Sequence, residues 1–209
     1  MKYLDIDNWN RKEHFNYFLA FDEPFFGIVS EVDVTKAYKY AKNNNISFYS
    51  HYLFKAMQAF NEIEEFRYRI IDDKVVIFDK IHSSSTIGRE DGTFSFSFIE
   101  FNASFEDFDK NLKAEIEEAK NSTGLRFNES AKRKDTVHCS SIPWRKITSL
   151  THARNFKHQD SSPKITFGQY YKQDNKLVMA TAIYVNHALT DGYHVSKFLN
   201  YFQELLNQN

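Results

Sequence analysis

The sequence predicts an α+β fold, a large, mostly antiparallel or mixed sheet with helices packed on it. Three observations predict it. Segments 66–78 and 164–185 read as hairpins, folding back at Asp72-Asp73 and at Asp174-Asn175. The run TFSFSFIEF (93–101) alternates, so that Phe94, Phe96 and Phe98 share one face of a strand. Stretches at 48–62, 105–119 and after 191 repeat apolar residues at helical spacing. A length of 209 residues suits one core, and no repeat, linker or low-complexity tract divides it, so one domain is expected over 1–209.

Taken in order, Asp7 or Asn8 is expected to cap a short helix carrying Trp9, Phe15 and Phe18. FFGIVSEVDV (25–34) reads as a strand, and Thr35 is expected to cap a helix that the asparagines at 43–45 end. The helix over 48–62 places Leu53, Ala56, Met57 and Phe60 on one face, and the next carries Phe105, Phe108, Leu112, Ile116 and Ala119. In KLVMATAIYV (176–185) both faces are apolar, which predicts a central, buried strand. The last helix sets Val195, Phe198, Leu199, Phe202 and Leu206 on one side.

Composition narrows the function classes. A net charge of −1 supplies no basic field for nucleic acid or an anionic membrane. The lone cysteine, Cys139, excludes an intrachain disulfide and fits a reducing compartment. The N-terminus lacks a signal-like apolar run, and no stretch of about 18 apolar residues exists to span a membrane, so a cytoplasmic location is expected. No metal-ligand spacing surrounds Cys139, and no metal is expected. Aromatic residues make up 17% of the chain, enough to line a pocket as well as fill a core.

The stretch VNHALTDGYHVSKF (185–198) carries the chemistry. His187 leaves a buried strand where core meets cleft, and a neutral imidazole there is a candidate general base. Asp191 precedes the last helix, where a carboxylate suits the N-terminus and Gly192 allows a tight turn. A hydrogen-bonded core histidine followed by an ordinary helix cap fits the same residues.

NHALTDGYHVSKFLNYFQEL closely resembles the C-terminal signature of chloramphenicol acetyltransferases, and WNRKEHF (9–15) resembles the family's opening W-x-R-x-E-H-F. SSIPW (140–144) and ITFGQYY (165–171) are similar to its S-x-x-P-W and T-x-x-x-Y segments, at matching separations across essentially the whole chain. The resemblance implies acetyl transfer from acetyl-CoA to an acceptor hydroxyl, chloramphenicol's first among them, in a ternary complex without an acyl-enzyme. It implies His187 as base, held partly by its own backbone carbonyl, and Ser140 as the oxyanion donor. Thr166 would hold a water, and Arg11 would pair with a structural Asp191. Tyr49, Trp144 and Tyr170 match positions near CoA, which is a co-substrate and not a resident cofactor. Phe18, Phe26, Phe94 and Phe127 match an aromatic acceptor pocket. The resemblance also implies a homotrimer with sites between subunits and, for a chloramphenicol-inactivating enzyme, a role in antibiotic resistance.

The sequence departs from the signature at Asn186 and Thr190, where the family has histidine and cysteine. Ser47 and Gln169 stand where lysines are expected near the CoA phosphates. His152, Arg154 and Lys164 occupy apolar acceptor positions, which makes that wall polar or turns those side chains outward. The alternatives are a related CoA-dependent acyltransferase with another hydroxylated acceptor, or a non-catalytic ligand-binding protein of the same fold.

Overall fold

The computed structural model describes residues 1–157 and 159–208. In chain order the elements are β1 (Lys2–Tyr3), α1 (Lys12–Leu19), β2 (Phe25–Asp33), α2 (Thr35–Asn43), α3 (Phe48–Glu62), β3 (Tyr68–Ile71) and β4 (Lys74–Ile77). They continue with β5 (His82–Gly88), β6 (Phe94–Ile99), α4 (Phe105–Asn121), β7 (Thr136–Ile142), β8 (Lys164–Gln173), β9 (Lys176–Asn186) and α5 (Gly192–Asn207).

Six strands form a mixed sheet in the order β2-β9-β8-β7-β5-β6. Its β5–β7 and β7–β8 pairs are parallel and the other pairs antiparallel. The hairpin at 68–77 does not join it. With β1 it makes a separate three-stranded sheet, which corrects the expectation of one sheet. Both hairpins turn where expected: Asp72, Asp73, Asp174 and Asn175 all have positive φ, the type I′ geometry that suits twisted strands.

Two expected caps are absent. Lys12 begins α1 and Arg11 precedes it with no side-chain cap, while Asp7 instead pairs with Lys12 at 2.6 Å. Thr35 is the first residue of α2, and its hydroxyl accepts from the Leu177 amide at 2.8 Å. Ser47 is the cap of α3, accepting from the Ser50 amide.

Strand alternation divides the large sheet into two faces. One carries Ile99, Val137, Ile165, Ile183 and Val185 into the main core against α3, α4 and α5. The opposite face carries Thr86, Ser140, Thr166, Ala182 and Val29 in one row across neighbouring strands. A second core packs Phe15 of α1 and Ile70, Val75 and Ile77 of the small sheet against Ala188 and Leu189. The turn that follows β9 is therefore anchored from behind by apolar burial.

Arg69 ties the two sheets together. It is 1% exposed, and its guanidinium donates to the carbonyls of Phe66, Tyr68, Lys134 and Thr136 at 2.6–2.9 Å. Five donors in a rigid fork suit several backbone acceptors that no short side chain reaches. No helix among the described residues is long and apolar enough to cross a membrane.

Arg69→Met should destabilise the chain by about 3–5 kcal/mol, because it strands buried carbonyls that water cannot reach. Chemical denaturation should show this as a lower midpoint at an unchanged slope.

Candidate active site

His187 is the first residue after β9, and its amide donates to the Pro24 carbonyl at 2.8 Å. Its ring stacks on Phe18, with centroids 3.9 Å apart and planes at 8°, and Phe26 tilts against it at 4.7 Å. Nδ1 is buried without a hydrogen-bond partner among the described residues, so the expected bond to its own carbonyl is not formed. Nε2 is the nitrogen left to face a substrate. The following turn closes on Asn186, whose carbonyl accepts from the Leu189 and Thr190 amides and from the Thr190 hydroxyl.

Asp191 caps α5 and accepts from the Tyr193 and His194 amides, while the His194 ring completes a capping box. Arg11 donates to its second oxygen. Burial pushes the Asp191 carboxyl up, but the Arg11 hydrogen bond and the nearby positive groups outweigh it and hold the carboxyl below its ordinary range. Arg11 is 13% exposed and Asp191 29%, so the pair is only partly desolvated. One loop residue is thereby bolted to the start of α5, across 180 residues of chain.

Ser140 and Thr166 are paired neighbours on β7 and β8. The Ser140 hydroxyl lies 3.4 Å from that of Thr86, and the Thr166 hydroxyl is buried with no partner among the described residues. Thr166 is registered with Ala182, five residues before His187. That separation is about 17 Å along the strand, and the odd spacing puts His187 on the opposite side of the sheet. One chain therefore does not bring His187 to Ser140 and Thr166.

The four expected acceptor phenylalanines are likewise divided. Phe18 and Phe26 flank His187, whereas Phe94 and Phe127 sit around Phe96 at the β6 edge. Because β2 and β6 are opposite edges, about 24 Å separates the pairs within one chain. A single four-ring pocket is not present in one copy.

Trp144 and Tyr170 lie toward one end of the sheet, whereas the Tyr49 hydroxyl is buried beside Ser85 and Cys139 on the core face. Tyr170 packs on Phe48 and Tyr38, Phe48 on Tyr52, and Tyr52 on Tyr49, with centroids 5.0–5.7 Å apart. Trp144 is 75% exposed, and the next carbonyl, of Arg145, accepts from the Gln169 amide beside Tyr170.

None of His152, Arg154 and Lys164 is fully turned out to solvent, and the two cations are paired with carboxylates. Lys164 is 7% exposed and donates to Asp160 at 2.6 Å, and Arg154 donates to Glu23 at 2.6 Å. Both cations lie over the Phe25 ring, at 4.5 and 3.7 Å. His152 packs on Tyr184 at 5.4 Å. Burial, and then Lys164, push the His138 imidazole down to about 4, and the same two causes lower His152. Sequence reasoning missed His138, Asp160 and Glu23. The signal for His138 was present, since two residues before Ser140 is the same face of β7. Burial pushes the Cys139 thiol up to about 12, an inert core residue.

The family model described as chloramphenicol acetyltransferase matches residues 1–203. The chain belongs to the chloramphenicol acetyltransferase family. It is therefore an acyltransferase, of a family that works with acetyl-CoA. Chloramphenicol acetyltransferase 3 of Escherichia coli is 29% identical over 206 residues, 98% of this chain and 96% of that one. A solved chloramphenicol acetyltransferase superposes with a TM-score of 0.90 at 32% identity, covering 98% of this chain and 99% of its own. A probable dihydrolipoamide acetyltransferase from Listeria monocytogenes shares the fold, at a TM-score of 0.69, 15% identity and coverage of 93% and 88%. The mixed sheet and its packed helices are as expected of this family.

Arg11→Ala should cost about 1–2 kcal/mol, less than a fully buried pair, because Asp191 keeps its backbone donors. The double variant with Asp191→Asn should be less than additive. Since the folded carboxyl sits below its unfolded value, its contribution is present above about pH 4 and lost as pH falls through the folded value. Asp191→Asn should thus cost more stability at pH 7 than at pH 3 by thermal unfolding.

Proposed function

We propose that the chain transfers the acetyl group of acetyl-CoA to a hydroxyl of a small acceptor, in a ternary complex at the interfaces of a cytoplasmic homotrimer. The whole chain, 1–209, acts as one domain. Chloramphenicol is the first acceptor to test, and its acetylation would inactivate the antibiotic. The observation that carries this reading is His187: a half-buried imidazole clamped between Phe18 and Phe26, with Nδ1 turned inward.

His187 Nε2 takes the hydroxyl proton as the acceptor oxygen attacks the thioester carbonyl. The oxyanion of the tetrahedral intermediate accepts a hydrogen bond from Ser140 of a neighbouring copy, worth about 3–4 kcal/mol at comparable sites. Collapse breaks the carbon–sulfur bond, and the imidazolium returns its proton to the CoA thiolate. Thr166, with an unpartnered hydroxyl beside Ser140, holds a water or a substrate oxygen. Arg11 and Asp191 set the turn and do not touch the reacting atoms. Trp144 and Tyr170 bind CoA from the end of β7 and β8.

The separation of His187 from Ser140 within one chain supports a shared site. His187 of one copy meets the Ser140 face of the next, which also reunites Phe18 and Phe26 with the other copy's sheet. A thiol-release assay tests the reaction. His187→Ala should lower turnover by about two orders of magnitude or more with the fold unchanged; a folded variant at near-normal turnover would refute the base.

Mixing tests the shared site. His187→Ala and Ser140→Ala chains, each nearly inactive alone, should recover activity when refolded together. In randomly mixed trimers about a quarter of the sites carry both wild-type residues. No recovery from a mixture shown by light scattering to be trimeric would defeat the interfacial arrangement.

A further inference from the structure

The row Ser140–Thr166–Ala182 has a neighbour on each side on the same face of the sheet. Toward the Trp144 and Tyr170 end it is Ile142–Gly168. Away from that end it is His138–Lys164–Tyr184, one two-residue step or about 7 Å distant. A donor thioester arriving from the Trp144 end leaves the acceptor's far end against this second row.

The second row is built for oxygen. His138 and Lys164 stand side by side on β7 and β8, and Tyr184 follows on β9. Tyr184 lies flat because position 27 is glycine: a Cβ there would fall 2.4 Å from its ring. Above the row, the segment after β7 brings His152 onto Tyr184 and Arg154 onto Phe25, where Lys164 of β8 also lies. Arg154 Nε and His152 Nε2 are buried without hydrogen-bond partners among the described residues, although the Arg154 side chain is only 6% exposed. Two cavities open on these groups. One of about 230 Å³ is lined by His152, Tyr184 and Gly27, and one of about 500 Å³ by Arg154, Asp160, Asn186 and Phe156.

The charges in this wall balance. Arg154 and Lys164 are matched by Glu23 and Asp160, and burial disfavours the charged form of both histidines. An anionic ligand would have to compete with Glu23 and Asp160 for the two cations, and an apolar one leaves the buried donors unpaired. Hydroxyl groups, which donate and accept, suit a wall of imidazoles, a guanidinium and a carboxylate, and flat aromatic faces beside them suit a pyranose or cyclitol ring. Resting on the acetyl-transfer reading above, we infer that the preferred acceptor is a neutral polyhydroxylated small molecule, read by His138, His152, Arg154 and the Lys164–Asp160 pair. Chloramphenicol, which offers a nitrophenyl group to this wall, is then a poorer acceptor.

The test uses the full chain, acetyl-CoA and thiol release, with methyl glucoside, myo-inositol and chloramphenicol as acceptors. At least one of the two polyols should be used with a kcat/KM about tenfold or more above that of chloramphenicol. His138→Phe with His152→Leu, a change that strands no charge, should move the KM values of polyol and chloramphenicol in opposite directions. Each should shift by about tenfold, with the KM for acetyl-CoA and the circular dichroism unchanged. Chloramphenicol preferred over both polyols by the wild-type chain overturns the inference, as does a folded double variant with unaltered preference. Absence of thiol release with every acceptor overturns the acetyl-transfer reading itself. Release with chloramphenicol alone overturns only the acceptor class.

Discussion

The hydrogen-bond register of β9 is the constraint on which the rest of the molecule depends. This strand is paired along its length with β2 on one side and β8 on the other, so it cannot slip without breaking two ladders. Its residues alternate between a helix-packed core and the opposite face, and a one-residue slip would exchange them. The register therefore settles where the strand must end and to which side His187 is delivered. It also fixes the distance from His187 to Thr166, which no side-chain rotation can close. Everything specific to the site follows from a backbone ladder before any reactive side chain is considered.

Once the ladder is set, the polar groups buried around it must find partners. Most hydroxyls on the core side, Ser95 and Thr181 apart, do so locally: Ser83 and Ser85 bond each other at 2.8 Å, Ser97 donates to the Ser85 carbonyl, and Tyr52 meets Ser141 at 3.2 Å. Arg69 does the same at larger scale with four carbonyls. The exceptions are informative. Of twelve buried side-chain atoms left unpartnered among the described residues, six belong to Arg11, His152, Arg154, Thr166 and His187. Unsatisfied donors and acceptors cost stability, and a fold tolerates them most readily where a second molecule completes them.

Much of this was legible in the sequence, and the failures have physical causes. Asp72-Asp73 and Asp174-Asn175 marked their turns because few residues accept positive φ, and Asp and Asn are among them. β9 was legible as a buried strand because both of its faces are apolar. The strand HSSSTIG (82–88) carries no hydrophobic period to mark it, because Ile87 is its only apolar core-facing residue beside Ser83 and Ser85. Nor does any residue pattern distinguish the parallel pairing of β5, β7 and β8 from an antiparallel one. Asp7 and Thr35 are good capping residues by type, yet Lys12 and the Leu177 amide claim their oxygens first. At the site, the motif spacing identified His187, Asp191 and Arg11, whose contacts lie within one chain. It could not show that Phe26 and Phe94 stand at opposite sheet edges, because that fact belongs to strand order. His138 belongs to no motif, and only the face it shares with Ser140 exposes it.

The turn at Asn186 shows how reaction and recognition are kept apart yet adjacent. Its carbonyl closes the turn on Leu189 and Thr190, and its side-chain oxygen accepts from the Ala188 amide at 2.9 Å. Those bonds hold the backbone that carries His187 whatever the acceptor wall contains. A polar link to that wall is the Asn186 amide nitrogen, 3.4 Å from the Asp160 carbonyl, a long and weak contact. Asp160 spends its carboxylate on Lys164, and Lys164 stands beside His138. The wall can thus differ by whole charges from an apolar one while the turn keeps its geometry. Acceptor choice and base placement are then separable, because the first is written in side chains on the open face and the second in the backbone of β9.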